Sequence, residues 1–404
     1  MKDLLFLAHR IPYPPNKGDK IRSFNMLKHL STQFRVHLGC FVDDPRDWQY
    51  QKDVAAYCES LCLLPLHPGR ARVKSLTGLL GSQPLTLPYY RNRRMQQWVN
   101  TTLARGVDRA LVFSAAMTQY LPANLQQLHT VIDFCDVDSD KWRQYATGHR
   151  FPMNWIYARE ARTLLAFERR QAAASDAAVF VTEQEARLFR ELAPESAARV
   201  HAIDNGVDTR YFSPEQVYPN PYPATGTRLV FVGAMDYWAN VDAVVWFANQ
   251  VFPAVRAAQA DAEFVIVGAR PTPEVTRLAR LDGVVVTGAV PDVRPYLAHA
   301  NLAVAPLRIA RGVQNKVLEA MAMGCPVVAT PQALDGLRDC PQLNWRVAEQ
   351  ADDLSNLCLA VLKGEDRDGQ GARGRDCVLS HYSWSEHMAR LIGLLNERVQ
   401  NEPA

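Results

Sequence analysis

Short apolar runs alternate with segments of helical period along almost the whole chain. Strands are expected over residues 3–9, 35–42, 61–65, 110–114, 130–134, 177–182 and 200–205. Helical stretches lie between them over 20–30, 46–58, 93–105 and 154–174. Strands that are apolar throughout suit burial on both faces, and their alternation with helices predicts a parallel sheet wrapped by helices. The series breaks at 213–225, SPEQVYPNPYPAT, where Pro214, Pro219, Pro221 and Pro223 prevent a helix and favour an extended linker. A second series follows, with strands over 228–233, 263–268, 284–287, 301–306 and 326–330. Its helices are expected over 241–258, 273–281, 293–298 and 314–323, then an irregular stretch over 337–347 and a mostly helical tail over 352–399. The fold class is therefore α/β, with two Rossmann-like domains in series. Ligands of such an architecture bind outside the carboxyl ends of the strands, so a cleft between two facing domains is expected.

Within the second series, residues 312–330 read GVQNKVLEAMAMGCPVVAT. Val317, Leu318, Met321 and Ala322 recur at helical spacing and predict one core face. Gly324 and Pro326 stop that helix, and the run from Cys325 to Ala329 suits a buried strand. Gly312 lets backbone N–H groups approach a ligand, and the helix N-terminus favours negative charge. Lys316 and Glu319 fall on roughly the same face of the first turns. A cation and a carboxylate beside a phosphate-binding helix end suit a nucleotide carrying both diphosphate and ribose. An ordinary αβ unit with a solvated Lys and Glu fits the same periodicity.

Length and charge refine this picture. The chain has 404 residues, long for one core and suited to two domains. Net charge is only +3, yet residues 1–130 carry 17 Lys/Arg against 8 Asp/Glu. A basic first half implies an anionic partner: a phosphate-bearing lipid or a membrane surface before nucleic acid. Residues 69–105 combine Arg70, Arg72, Lys74, Arg91, Arg93, Arg94 and Arg105 with Leu76, Leu79, Leu80, Tyr89, Tyr90 and Trp98, the composition of a segment lying on an anionic membrane or of an ordinary charged surface. The eight cysteines show no metal-binding spacing and are expected to be reduced, as in the cytoplasm. The N-terminus runs directly into a strand rather than a signal peptide, and no apolar run approaches the ~20 residues needed to span a bilayer. A cytoplasmic protein, peripheral at most at the inner membrane face, is expected.

Other stretches could carry chemistry. The loop after the first strand contains Lys17 and Gly18 ahead of a helix, a setting for a phosphate or an acceptor. No GxGxxG or GxxxxGK[ST] fingerprint occurs. Asp133, Asp136, Asp138 and Asp140 follow another strand. A calcium loop starting at Asp136 fails, because Lys141 stands where glycine is needed and Thr147 where glutamate is needed. A DxD metal clamp suits a different architecture, so a carboxylate that positions an acceptor hydroxyl or takes its proton is preferred, alongside a helix-capping role for Asp138 or Ser139. Gly233 and Gly268 each end a strand before a helix and would open the edge to a nucleotide.

Taken together, these residues resemble the GT-B-fold glycosyltransferases, most closely the retaining family 4 class. NGVDTRYFSP at 205–214, Gly233, Gly268 and the block from Lys316 through Glu319 to Val328 carry the resemblance, with Ser383 and Trp384 resembling the tail that crosses back to the first domain. The loop over 9–30 with 133–142 is similar to sugar transferases associated with PEP-CTERM/exosortase and exopolysaccharide clusters. The resemblance implies domains at 1–212 (with 383–404) and 227–382, joined by 213–226. It implies a metal-independent, retaining hexosyltransferase using a nucleotide-sugar and a glycan or polyprenyl-linked acceptor, with no cofactor and no nucleic acid. Catalytic roles fall on Asp136, Lys316 and Glu319. The donor site is expected to include Gly233, Gly268, Arg308, Arg311, Gly312, Val313, Gln314, Asn315, Lys316 and Glu319, and the acceptor site Lys17, Gly18, Asp133 and Asp136. Arg311 stands where the family often has an upstream acid, and the family's Arg and Lys in the first donor-domain loop are replaced by Asp236 and Asn240. A nucleotide-sugar epimerase and a non-catalytic sugar-binding protein are the alternatives.

Overall fold

The computed structural model describes residues 1–15, 18–122, 128–222, 226–310, 313–337, 340, 343, 345–364 and 367–397. The apolar runs form two wholly parallel sheets. The first contains β1 (Lys2–Ala8), β2 (Phe34–Val42), β3 (Ser60–Pro65), β4 (Arg109–Phe113), β5 (His129–Cys135), β6 (Ala177–Phe180) and β7 (Val200–Ala202), in the order β3-β2-β1-β4-β5-β6-β7. The second contains β8 (Thr227–Val232), β9 (Ala262–Val267), β10 (Val284–Gly288), β11 (Leu302–Ala305), β12 (Val327–Ala329) and β13 (Arg346–Val347), in the order β10-β9-β8-β11-β12-β13. β4 is buried along its whole length, as parallel strands covered by helices on both faces must be.

The chain divides into two compact units, Met1–Asp204 with Ser385–Ala404, and Asn205–Trp384. Both ends of the second unit meet: Val207 N–H donates to the Tyr382 carbonyl at 3.0 Å, and Gly206 is so close to Tyr382 and Trp384 that a Cβ there would lie 2.7 Å from the Trp384 nitrogen. The last helix, Trp384–Asn396, packs in the first unit, where Arg109 Nε donates to the Leu395 carbonyl at 3.0 Å and Arg390 to the Ala202 carbonyl at 3.0 Å. The described part of the proline-rich stretch packs within the second unit. Tyr218 Oη donates to Ser213 O at 3.0 Å, Tyr222 Oη donates to Tyr296 O at 2.8 Å, and Arg294 lies over the Tyr211 ring at 3.7 Å. Prolines stop regular structure, but the interleaved tyrosines supply the packing.

Three further departures have local causes. The helix expected over 46–58 is a 3-10 turn, Pro45–Tyr50, followed by the short helix Gln51–Ala55; Asp44 caps the turn by accepting from Arg46 N–H. The helix expected over 241–258 passes through a π turn at Phe247–Val251, where Phe252 N–H reaches back to Phe247 O. Pro253 follows at once and has no N–H to continue the regular ladder. Cys340 and Cys377, expected to be reduced, are joined as a disulfide because the fold brings their Cα atoms to 6.2 Å.

The helix of the 312–330 stretch is Asn315–Ala322, with Val317, Leu318, Ala320, Met321 and Ala322 buried. Its end is a Schellman motif: Cys325 N–H donates to Ala320 O at 3.0 Å, Gly324 N–H donates to Met321 O at 2.9 Å, and Gly324 has φ +67°. Gly371, in the helix Arg367–His381, lies against this turn, so a Cβ there would stand 2.1 Å from the Gly324 carbonyl. Gly371→Ala is therefore expected to lower stability by about 1–3 kcal/mol through overpacking. Gly393→Ala, in open space within Trp384–Asn396, should raise it by up to about 1 kcal/mol through helix propensity. Urea unfolding of the two variants checks both signs.

Candidate functional site

In the second unit, the loops that leave the carboxyl ends of β9, β8 and β11 stand side by side, because these strands are neighbours in that order. The β8 and β9 loops interlock at two glycines. A Cβ on Gly268 would fall 1.7 Å from the Gly233 carbonyl oxygen, and one on Gly233 would fall 2.8 Å from Asn240 Nδ2. Gly268 is thus required by backbone packing, independently of any ligand, whereas the space beside Gly233 is taken by the Asn240 side chain. The connection after β8 also supplies carboxylates to the arginines on either side. Asp236 accepts from Arg270 Nε at 2.5 Å and Nη2 at 3.1 Å, and Asp242 pairs with Arg308, whose Nε donates at 3.0 Å.

The third loop leads into the helix Asn315–Ala322. Val313, Gln314 and Asn315 are half-buried around its start, and the Gln314 side chain at the N-cap position makes no capping hydrogen bond to the helix. The Asn315 Oδ1 and Asn240 Oδ1 atoms are buried without a hydrogen-bond partner among the described residues. Lys316 donates to Gln314 Oε1 at 3.2 Å and lies over the Phe231 ring of β8 at 5.6 Å. Burial pulls the Lys316 pKa down to about 8, with Glu319 opposing the shift, and burial pushes Glu319 up to about 7, with Lys316 opposing. Tyr211 belongs to the same neighbourhood: its phenol is raised by burial, with the charges of Asp292 and Glu319 adding to the effect. The structure therefore brings together Gly233, Gly268, Arg308 and residues 313–319 at one sheet edge. Arg311 and Gly312 lie outside the described residues.

The first unit has its own carboxyl edge. Cys135, at the end of β5, adopts φ +67°, and the chain then turns to Asp136. Asp136 accepts from Lys141 Nζ at 2.7 Å, which also donates to Asp138 at 3.0 Å. Burial opposes the charge on Lys141, but Asp138 and Asp136 hold its pKa well above the usual lysine range. Asp133, expected to face an acceptor, is instead fully enclosed. Its Oδ2 accepts from Arg22 Nε at 2.9 Å and Nη2 at 2.7 Å, and its Oδ1 from Cys135 N–H at 2.9 Å. It shapes the turn that leads to Asp136. Gly18 begins the helix Gly18–Leu30 with open space at its Cβ position, while Lys17 lies outside the described residues. Beside it, Arg10 joins Asp19 at 2.5 Å and Asp43 at 2.9 Å, and His9 Nε2 lies 3.4 Å from Asp19. His9 and Arg10 hold the Asp19 carboxyl far below its usual range against the opposing effect of burial. Among the described residues, no three His, Cys, Asp or Glu side chains converge to hold a metal ion.

These two sheet edges, each with half-exposed ionic groups around a strand end, invite comparison with known proteins. Residues 226–363 match the family described as Glycosyl transferases group 1. That match covers most of the second unit. Solved structures similar to the chain cover nearly all of it: a glycosyltransferase from Rickettsia africae (12% identity, TM-score 0.68, 99% of this chain and 100% of that one) and Anabaena HepE in complex with UDP and glucose (14% identity, TM-score 0.67, 98% and 100%). WaaG, a glycosyltransferase involved in lipopolysaccharide biosynthesis, is similar at 16% identity and TM-score 0.66 over 98% of this chain and 100% of that one. No curated protein sequence matches. The fold is GT-B.

Sequence reasoning passed over Arg270, Asp242, His9, Arg10 and Asp19 as site residues. Arg10 and Asp19 flank a loop already flagged for Gly18, so their charges were a usable signal. The pairing of Arg270 with Asp236 spans two strand ends and left none.

The two shifted groups give a pH signature. Below about 7 Glu319 takes up a proton, and above about 8 Lys316 loses one. Affinity for UDP or another nucleoside diphosphate is expected to peak between these values in calorimetric titrations at varied pH. Lys316→Met should remove the alkaline limb and Glu319→Gln the acidic limb.

Proposed function

We propose that the chain transfers a sugar from a nucleotide-sugar to a hydroxyl acceptor, with retention at the anomeric carbon, as a hexosyltransferase of exopolysaccharide or other cell-surface glycan synthesis. The observation that carries this reading is the half-buried Lys316 with Glu319 in the first turns of an uncapped helix at the carboxyl edge of the second sheet. Uncapped N–H groups and a lysine favour the diphosphate, and a carboxylate one turn on favours ribose hydroxyls. The bond from the anomeric carbon to the diphosphate oxygen breaks, a bond to the acceptor oxygen forms, and the hydroxyl proton passes to the departing diphosphate. Lys316 and the helix end stabilise the departing diphosphate. Asp136, resting against Lys141, orients the acceptor hydroxyl from the first unit. The family match over 226–363 supports this, as does the likeness in fold to HepE, which was solved with UDP-glucose. The diphosphate charge is met by protein groups, so transfer is expected to persist in EDTA.

Lys316→Ala and Glu319→Ala should each lower transfer at least about 100-fold, the scale of losing one transition-state contact, while leaving the thermal midpoint of the free protein intact. Radiolabelled or mass-detected transfer to a glycan or polyprenyl-linked sugar checks this, and wild-type rates in both variants would refute the donor-site assignment. Epimerised sugar formed from donor alone would favour the epimerase alternative. Absence of nucleotide release on adding acceptors would favour a binding protein.

The acceptor side is proposed to work at an anionic membrane surface. From Ser60 to Val107 the chain contains no Asp or Glu, while Arg70, Arg72, Lys74, Arg91, Arg93, Arg94 and Arg105 are all present. Val73 and Leu76 are exposed there, and Arg159 ties this segment, through Gly78 O at 2.6 Å, to a helix whose start exposes Phe151 and Trp155. No described helix is long and apolar enough to cross a membrane. Sedimentation with phosphatidylglycerol vesicles, but not with phosphatidylcholine vesicles, is expected, and Arg70→Glu with Arg72→Glu should release the protein.

A further inference from the structure

We propose that Arg270 is a binding residue for the diphosphate of the donor, held in waiting by Asp236, which the ligand displaces. This rests on the reading of the second unit as the nucleotide-sugar-binding half. Among the described residues only Cys135 and Arg270 are non-glycine residues with positive φ, at +67° and +55°. Each lies at the carboxyl end of a strand, one in each sheet. A left-handed backbone is unfavourable for a long side chain and persists where the surroundings enforce it. Here the enforcing contact is the crossing of Gly268 under the Gly233 carbonyl, two residues before Arg270. Met235 N–H also donates to the Ala269 carbonyl at 2.9 Å, fixing the turn from the other side.

The side chain so placed is an arginine with capacity to spare. Asp236 occupies Nε and Nη2, and Nη1 has no partner among the described residues. Both side chains are nearly half exposed, 43% and 46%, so the pair is held weakly against water. Arg308 on the opposite flank is likewise paired, with Asp242, and Lys316 gives up part of its charge to burial. Among the described residues a diphosphate at this edge therefore meets few unopposed cations, and the guanidinium fork of Arg270 suits bidentate pairing with its oxygens. The loop order β9-β8-β11 sets Arg270 on one side of the β8 loop and Lys316 on the other.

The test compares wild type, Arg270→Gly and Asp236→Asn in the full chain, by calorimetric titration with UDP, GDP, ADP and dTDP and by thermal melting without ligand. Glycine adopts positive φ freely, so Arg270→Gly should melt no lower than wild type yet bind the preferred diphosphate roughly 10- to 100-fold more weakly. Asp236→Asn should bind as tightly as wild type or more tightly, because the competing charge is gone. Equal affinity of Arg270→Gly and wild type would overturn the inference and leave the donor reading standing. Parallel losses in both variants would show a purely structural clasp and overturn it as well. Failure of all four diphosphates to bind wild type would overturn both the inference and the donor reading.

Discussion

Every strand of both sheets runs parallel to its neighbours, and that constraint dictates where charge can go. A parallel strand is buried on both faces, so its polar groups must stand at its ends. All carboxyl ends then gather on one edge, and the loops that leave them carry Asp136, Arg270 and Lys316, while pairs such as Arg35–Asp3 and Arg109–Asp108 stand at the opposite ends of the strands. Arg22 is the informative exception. It is fully buried, yet it is satisfied by Asp133 and by the Ile203 carbonyl at 2.9 Å, linking the first helix to β5 and to the chain beyond β7. Removing one member of such a pair strands the other in the core, at a cost of about 3–5 kcal/mol.

Close backbone approach does the rest of the positioning. In the second unit one chain segment runs directly over another at Gly268 under Gly233 and at Gly371 over Gly324. The first fixes the loops that carry Arg270 and Asp236, and the second fixes the end of the helix that carries Lys316 and Glu319. Both elements are thus held by glycine contacts rather than by Arg270, Lys316 or Glu319 themselves.

Electrostatics at this edge are balanced between the two members of the helix. Burial weakens the charge of Lys316 and of Glu319, and each partly restores the other. A diphosphate would favour the charged lysine and a hydroxyl donor the charged carboxylate, so a ligand carrying both groups would stabilise the ionic state of the pair.

The pattern of apolar runs was sufficient to give two α/β units, because a strand buried on both faces has a local signature. The helix that carries Lys316, and its stop at Gly324, were equally legible, since capping chemistry is confined to a few neighbouring residues. The same stretch by itself did not distinguish a ligand edge from a solvated surface. Only the tertiary structure decided that Asp133 is spent on Arg22, that Cys340 meets Cys377, that the tyrosines of the proline-rich stretch dock it, and that Arg270 faces Asp236 across two strand ends. Such contacts join residues far apart in the chain. Sequence periodicity records how each segment divides core from solvent, but not which distant segment lies opposite.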